Sequence, residues 1–170
     1  MQPLRITTML WGIAIACLGA VAIALYTQYT YDWRPCPWCI LQRIIFVVIA
    51  IVCIVTASIK GVAARAVPLA IGLVLSLLGI AAALWQHFVA AKSASCSLTL
   101  ADKIISALHI DDAIPSVFQV TGSCAEAAVS MLQVPFEFWS LALFAIIAVL
   151  TVRLMIRLPH DRDSRPSYLR

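Results

Sequence analysis

Charge is what this 170-residue chain has least of: Asp, Glu, Lys and Arg make up 12% of it, against 63% hydrophobic residues and a mean hydropathy of +0.99. A water-soluble domain carries roughly 25% charged residues, so a soluble globular fold is excluded and the bilayer becomes the expected solvent. Low-complexity segments and sequence repeats are also missing. No basic patch is interleaved with aromatics, so the net charge of +4 signals membrane topology and excludes a nucleic-acid partner.

The charge-free runs are the first positive feature. Ile6 to Tyr31 and Ala66 to Ala91 contain no Asp, Glu, Lys or Arg, and each can cross a hydrocarbon core that takes roughly 20 helical residues. Two shorter runs, Ile44 to Ile59 and Phe138 to Val152, end at Arg43, Lys60, Glu137 and Arg153. Long cationic side chains there can snorkel to the headgroups and extend the usable span. The sequence therefore predicts an all-α membrane protein, a four-transmembrane-helix bundle. It forms a single domain over 1–158, with spans at about 9–29, 40–59, 67–89 and 137–156 and outer loops at about 30–39 and 90–136. The polar stretch 159–170, with Pro166, is expected to be a disordered tail.

Basic residues near span ends stay cytoplasmic. Arg5, Lys60, Arg65, Arg153, Arg157, Arg162, Arg165 and Arg170 fall on one face of a four-helix reading, and Arg34, Arg43, Lys92 and Lys103 on the other. Both termini are thus expected to be cytoplasmic. The first run is too long for the apolar core of a secretory signal, and Leu25-Tyr26-Thr27-Gln28 is a poor cleavage site, so a retained anchor is expected.

Four cysteines then share the outer side, where disulfides persist. Cys36-Pro37-Trp38-Cys39 fills the short loop before the second span, and Cys96 and Cys124 lie in the long loop between helices 3 and 4. Pro37 suits the first position of a helix, which makes Cys36 its cap and puts sulfur near unpaired N–H groups. Arg43, one turn past Cys39, stays cationic and can stabilise a Cys39 thiolate or an anionic ligand. A structural disulfide or half a metal site is the plainer reading of CPWC, and a loop-ordering disulfide that of Cys96 with Cys124. Two redox-capable pairs beside a bilayer that dissolves oxidants favour an electron relay instead.

Cys17 and Cys53, mid-helix among Ala, Ile and Val, are expected to be inert. His87, at the outer end of the third span, is either a donor to a ligand at that depth or an interfacial side chain reaching water. Trp33, Trp38, Trp85, Trp139 and Tyr31 form an aromatic belt, most of them anchors. In the long loop, Leu100, Ile104, Ala107 and Leu108 recur at helical spacing behind Thr99, predicting a short amphipathic helix that rests on the bilayer surface. Ser123 and Glu126 form a capping box for a helix predicted to open at Cys124 and run toward Gln133.

Four spans, CPWC followed by Ile40-Leu41-Gln42-Arg43, and a later loop with two cysteines and the run Val117 to Glu126 together resemble the bacterial disulfide-bond formation protein B family. The resemblance covers nearly the whole chain, through Trp139. It implies a membrane thiol–disulfide oxidoreductase of the bacterial inner membrane with its redox cysteines facing the periplasm. Such a protein reoxidises a periplasmic, DsbA-like thioredoxin-fold oxidase and passes the electrons to ubiquinone or menaquinone, a pathway known for this family. The same resemblance implies the disulfides Cys36–Cys39 and Cys96–Cys124, attack by the partner at Cys96, and contact of Cys39 with the quinone, supported by Arg43 and, more loosely placed, His87. No metal is implied. A tetraspanin-like scaffold fits less well, because its loop carries adjacent cysteines that are absent here. A vitamin K epoxide reductase type enzyme places its C-x-x-C late in the chain, and a zinc site gains nothing from these wide separations.

Overall fold

The computed structural model describes residues 3–59, 61–92 and 100–163. Four long helices dominate it: α1 (Pro3–Tyr31), α2 (Pro37–Ser58), α3 (Val62–Phe88) and α7 (Phe136–Asp163). Within them, Ile6–Tyr31, Pro37–Ser58, Ala63–Lys92 and Phe136–Leu158 are long and apolar enough to cross a membrane, matching the four predicted crossings. The backbone of α7 stays helical past Pro159 as far as Asp163, where the sequence led us to expect an unfolded tail; 164–170 lie outside the described residues.

Lipid tails are as apolar as leucine, so close packing rather than water exclusion must hold such helices together. Helix α2 packs between α1 and α3, and α7 lies along α3 but touches α1 only slightly. Phe46 of α2 and Phe144 of α7 stack with ring centroids 4.0 Å apart and planes 2° from parallel. Gly79 makes room for that stack, since a Cβ there would sit 2.5 Å from the Phe144 ring. Leu10, Cys17, Ile49, Ile147 and Leu154 complete the core. Cys17 and Cys53 are buried in it, far from polar chemistry, as expected. Buried hydroxyls stay within their own helices: Thr27, Ser76 and Thr151 each donate to a carbonyl three or four residues back, at 3.0, 2.8 and 2.8 Å. Ile15, Ile23, Val74, Leu77, Ile146 and Ile156 project outward, an apolar girdle suited to acyl chains.

The long loop folds over the N-terminal end of α2. It contains α4 (Leu100–Leu108), α5 (Ile110–Ala113), α6 (Pro115–Phe118) and a hairpin of β1 (Ser130–Met131) and β2 (Val134–Pro135), in register Ser130 with Pro135 and Met131 with Val134. Helix α4 forms where predicted but docks by a different face. Ala101 and Ile105 are buried, Ile105 against Ile40, Ile44 and Phe118, whereas Leu100 and Leu108 are exposed. The reason is that α2 offers an apolar flank to the loop, so part of α4 is used against protein and the leucines are left exposed. Thr99 lies outside the described residues.

The capping box also forms, but its helix does not. The Ser123 N–H donates to Glu126 Oε2 at 2.9 Å and the Glu126 N–H to Ser123 Oγ at 3.3 Å, yet only a single turn follows before the chain becomes the hairpin. Val129 and Val134 favour extended backbone, and the Phe136 N–H closes the hairpin onto the Val129 carbonyl at 2.9 Å. Leu132 and Gln133 make the turn with φ of 53° and 65°. Both positions are left-handed, as a type I′ turn requires, and neither carries the usual Asn or Gly.

Candidate redox site

Helix α2 starts at the site. Pro37 occupies its first turn, and Cys36 caps it with its sulfur accepting from the Cys39 N–H at 3.4 Å. The Cys36 and Cys39 sulfurs are 3.0 Å apart, both free thiols. The geometry follows from the sequence, since a cap at Cys36 places residue 39 at the third helical position, directly above it.

The second loop is carried to this point by its backbone. The Thr121 and Gly122 N–H groups both donate to the Pro35 carbonyl at 3.2 Å. Glycine is required for that approach, because a Cβ at 122 would lie 2.7 Å from Arg34 Cβ. Two residues on, Cys124 packs against the cluster that holds Cys36. The three sulfurs share one apolar cluster with Trp38, Ala82, Ala90, Ala101 and Ala127, whose small side chains let the loop sit close. Trp38 is therefore buried beneath the sulfurs and is no interfacial anchor; Trp33 and Trp139 line the neighbouring cavity.

The sulfurs are electrostatically unlike. Hydrogen bonds to Cys124 and then Cys39, with burial added, push the Cys36 thiol well above the ordinary range. The Cys124 thiol is held below its ordinary value, first by the hydrogen bond from Cys36 and also by the Trp38 backbone N–H, with burial opposing. Of these two sulfurs, Cys124 is therefore the one whose surroundings favour the thiolate, while Cys36 keeps its proton.

Cys39 faces two environments. On one side it meets Cys36; on the other it lines a cavity of about 590 Å³ between α1, α2, α7 and the hairpin. Ala20, Ala24, Phe46, Leu143 and Ile146 make most of this wall apolar, and Gln42, Arg43, Gln86, Glu137 and Ser140 supply the polar groups. A buried chain of donors runs from α7 to the sulfur: Ser140 Oγ donates to Gln42 Oε1, Gln42 Nε2 to Gln86 Oε1 at 2.8 Å, and Gln86 Nε2 to Cys39 Sγ at 3.2 Å.

These residues come from three helices, and this chain through them was not visible in the sequence. The signal for it was present as polar side chains at the outer ends of apolar runs.

A family model described as disulfide bond formation protein DsbB matches residues 6–154. The chain belongs to the DsbB family. Proteins named disulfide bond formation protein B from Herminiimonas arsenicoxydans and Aromatoleum aromaticum are each 30% identical, over 87% and 86% of this chain and 94% and 90% of their own. Disulfide bond formation protein B 1 of Pseudomonas savastanoi pv. phaseolicola is 36% identical over 85% of this chain and 86% of its own. As in the family to which these DsbB proteins belong, the chain is a membrane protein of disulfide bond formation with oxidoreductase character.

Of the residues singled out from sequence, Cys36, Cys39, Cys124 and Arg43 come together at one end of α2. Cys96 lies outside the described residues. Arg43 is 7% exposed. Its guanidinium donates to Gln28 Oε1 at 2.8 Å, the Val117 carbonyl at 3.0 Å and the Ala24 carbonyl at 3.4 Å, tying α2 to α1 and α6 while its charge lines the cavity. His87 is not among the lining residues. Its Nδ1 instead meets Glu137 Oε1 at 2.7 Å, and it is Glu137 that faces the cavity.

Proposed function

We propose that this protein takes electrons from a reduced periplasmic protein of thioredoxin fold at the Cys96–Cys124 disulfide and delivers them, through Cys36 and Cys39, to a quinone of the bacterial inner membrane. The observation that carries this reading is the gathering of Cys124 onto the cluster that holds Cys36, whose sulfur lies 3.0 Å from that of Cys39 at the cavity wall. The cavity suits a quinone: apolar walls for ring and tail, Arg43 and Gln42 as donors, and a buried Glu137 oxygen, Oε2, without a partner among the described residues. When bound, a quinone supplies a two-electron, two-proton acceptor that leaves in the lipid, and this draws otherwise reversible exchange forward.

The chain's own residues divide the work. Attack by the partner at Cys96 frees Cys124 as a thiolate, the form its surroundings favour. Cys124 then attacks Cys36 of the Cys36–Cys39 disulfide, forming one S–S bond and breaking another, and Cys39 leaves as a thiolate toward the Gln86 amide. The partner's second cysteine resolves its mixed disulfide, so that the partner leaves oxidised and Cys96 is freed as a thiolate; attack by Cys96 on Cys124 of the Cys124–Cys36 bond then regenerates the outer disulfide and returns Cys36 as the thiol. Arg43 and Gln86 hold the negative sulfur against the cavity.

The test is quinone reduction driven by a reduced thioredoxin-fold protein, with variants Cys36→Ser, Cys39→Ser, Cys96→Ser and Cys124→Ser. Each loses turnover, whereas Cys17→Ser and Cys53→Ser keep it. Normal activity in Cys39→Ser would refute the assignment. Labelling with a membrane-impermeant thiol reagent in spheroplasts should reach Cys96 and Cys124 from outside after reduction, and failure to do so would refute the orientation.

A further inference from the structure

Glu137 is 5% exposed, lines the cavity, and bonds through Oε1 to a histidine whose side chain is 31% exposed. Its other oxygen, Oε2, is buried without a partner among the described residues. An acid placed this way is expensive unless it is used. The remaining charged or titratable groups facing this cavity are Arg43 from α2, Arg34 from the segment before it, and the Cys39 thiol.

We propose that Glu137 is the acid that hands a proton to the electron acceptor in this cavity, and that His87 reloads it from water. The inference rests on the quinone reading above. Closing the Cys36–Cys39 disulfide from a Cys36 thiol and a Cys39 thiolate releases two electrons and one proton, whereas reducing a quinone to its quinol consumes two electrons and two protons. One proton is missing, and Glu137 supplies it, its O–H bond breaking as an O–H bond to the acceptor forms. His87 takes a proton from the aqueous side at its other ring nitrogen as its Nδ1 proton passes to the carboxylate across the 2.7 Å contact, so the imidazole ends neutral. His87 acts behind Glu137, not on the acceptor.

Glu137→Gln keeps the size and the hydrogen bond but cannot carry the proton. In detergent-solubilised full-length protein with a short-chain quinone, quinol formation should fall about 100-fold, the scale of general acid catalysis. Disulfide exchange with a reduced thioredoxin-fold protein in quinone-free samples should be unchanged, and Glu137→Asp should recover part of the turnover. Independently of turnover, infrared difference spectra on binding oxidised quinone should contain a protonated-carboxyl band that Glu137→Gln abolishes. His87→Phe should give one fast turnover followed by slow ones. Wild-type turnover in Glu137→Gln, or a carboxyl band that survives it, overturns the proposal alone. If the wild-type protein reduces no quinone while its thiol exchange is intact, the proposed function falls and takes this inference with it.

Discussion

Replacing Gly122 with alanine perturbs the junction between the two cysteine loops without touching a sulfur. The added Cβ would sit 2.7 Å from Arg34 Cβ and 3.0 Å from the Arg34 carbonyl oxygen. Carbon atoms in contact settle at about 3.5–4.0 Å, so the two segments must part by roughly 1 Å. That displacement stretches the two 3.2 Å bonds to the Pro35 carbonyl beyond useful length and carries Cys124 away from Cys36. Sulfur exchange is a bond-forming attack, and a misplacement of about 1 Å can slow such a step on the order of 100-fold. Transfer between the outer pair and Cys36–Cys39 should therefore slow by about that factor, while reaction of prereduced Cys36–Cys39 with quinone stays near wild type. Rapid acid quenching followed by alkylation and mass spectrometry resolves the two half-reactions. Gly72→Ala is the control, since its Cβ meets Val52 at an ordinary 3.9 Å. Wild-type transfer in Gly122→Ala, or an equal loss in both half-reactions, would refute the argument that this contact positions Cys124.

Cys36→Ala removes the thiol whose hydrogen bond holds Cys124 below its ordinary value, so the pH profile of Cys124 alkylation should move to higher pH; a profile that stays put would contradict the sulfur contact. Gln86→Leu deletes the donor to Cys39, and hydrogen bonds to charged groups are worth about 1.5–3 kcal/mol. Alkylation of Cys39 at fixed pH should slow about tenfold or more, with the fold judged by near-ultraviolet circular dichroism. Arg43→Ala should raise the apparent Michaelis constant for quinone and also lower the melting temperature, because Gln28 and the Val117 carbonyl lose their donor; an effect on only one of these would separate the two roles. Leu132→Asn with Gln133→Gly relieves two left-handed positions at about 1 kcal/mol each and should raise the melting temperature by a few degrees.

The four crossings were legible because a run without charge has one dominant use at this length, and the cap at Cys36 because Pro37 has one good place at a helix start. What could not be read was decided by surfaces that meet only in the fold. Leu100 and Leu108 marked a face of α4 that would rest on the bilayer, and nothing in that pattern showed that the flank of α2 takes up Ala101 and Ile105. The Ser123–Glu126 box specified the beginning of a helix and said nothing about its length; Val129, Val134 and the Phe136 N–H then favoured a hairpin over the cavity. Trp38 matched a belt by position and is buried by the arrival of the loop. His87 was read as a donor to a ligand or a side chain reaching water, but the carboxylate that it meets lies 50 residues away, on another helix.

The arrangement also explains why two cysteine loops are brought to one helix end instead of being left to meet by diffusion. Exchange requires a thiolate that attacks one sulfur of a disulfide and expels the other, and identical environments would give neither direction a preference. Here the start of α2 supplies N–H groups to Cys124 and to Cys36, while burial and the two sulfur contacts keep the proton on Cys36. Cys39, one turn on, is turned toward amides and a cavity lined largely by apolar side chains. On the proposed relay, the start of α2 thus sets the attacking sulfur of the loop apart from the two sulfurs of its own first turn, of which only Cys39 lines the cavity.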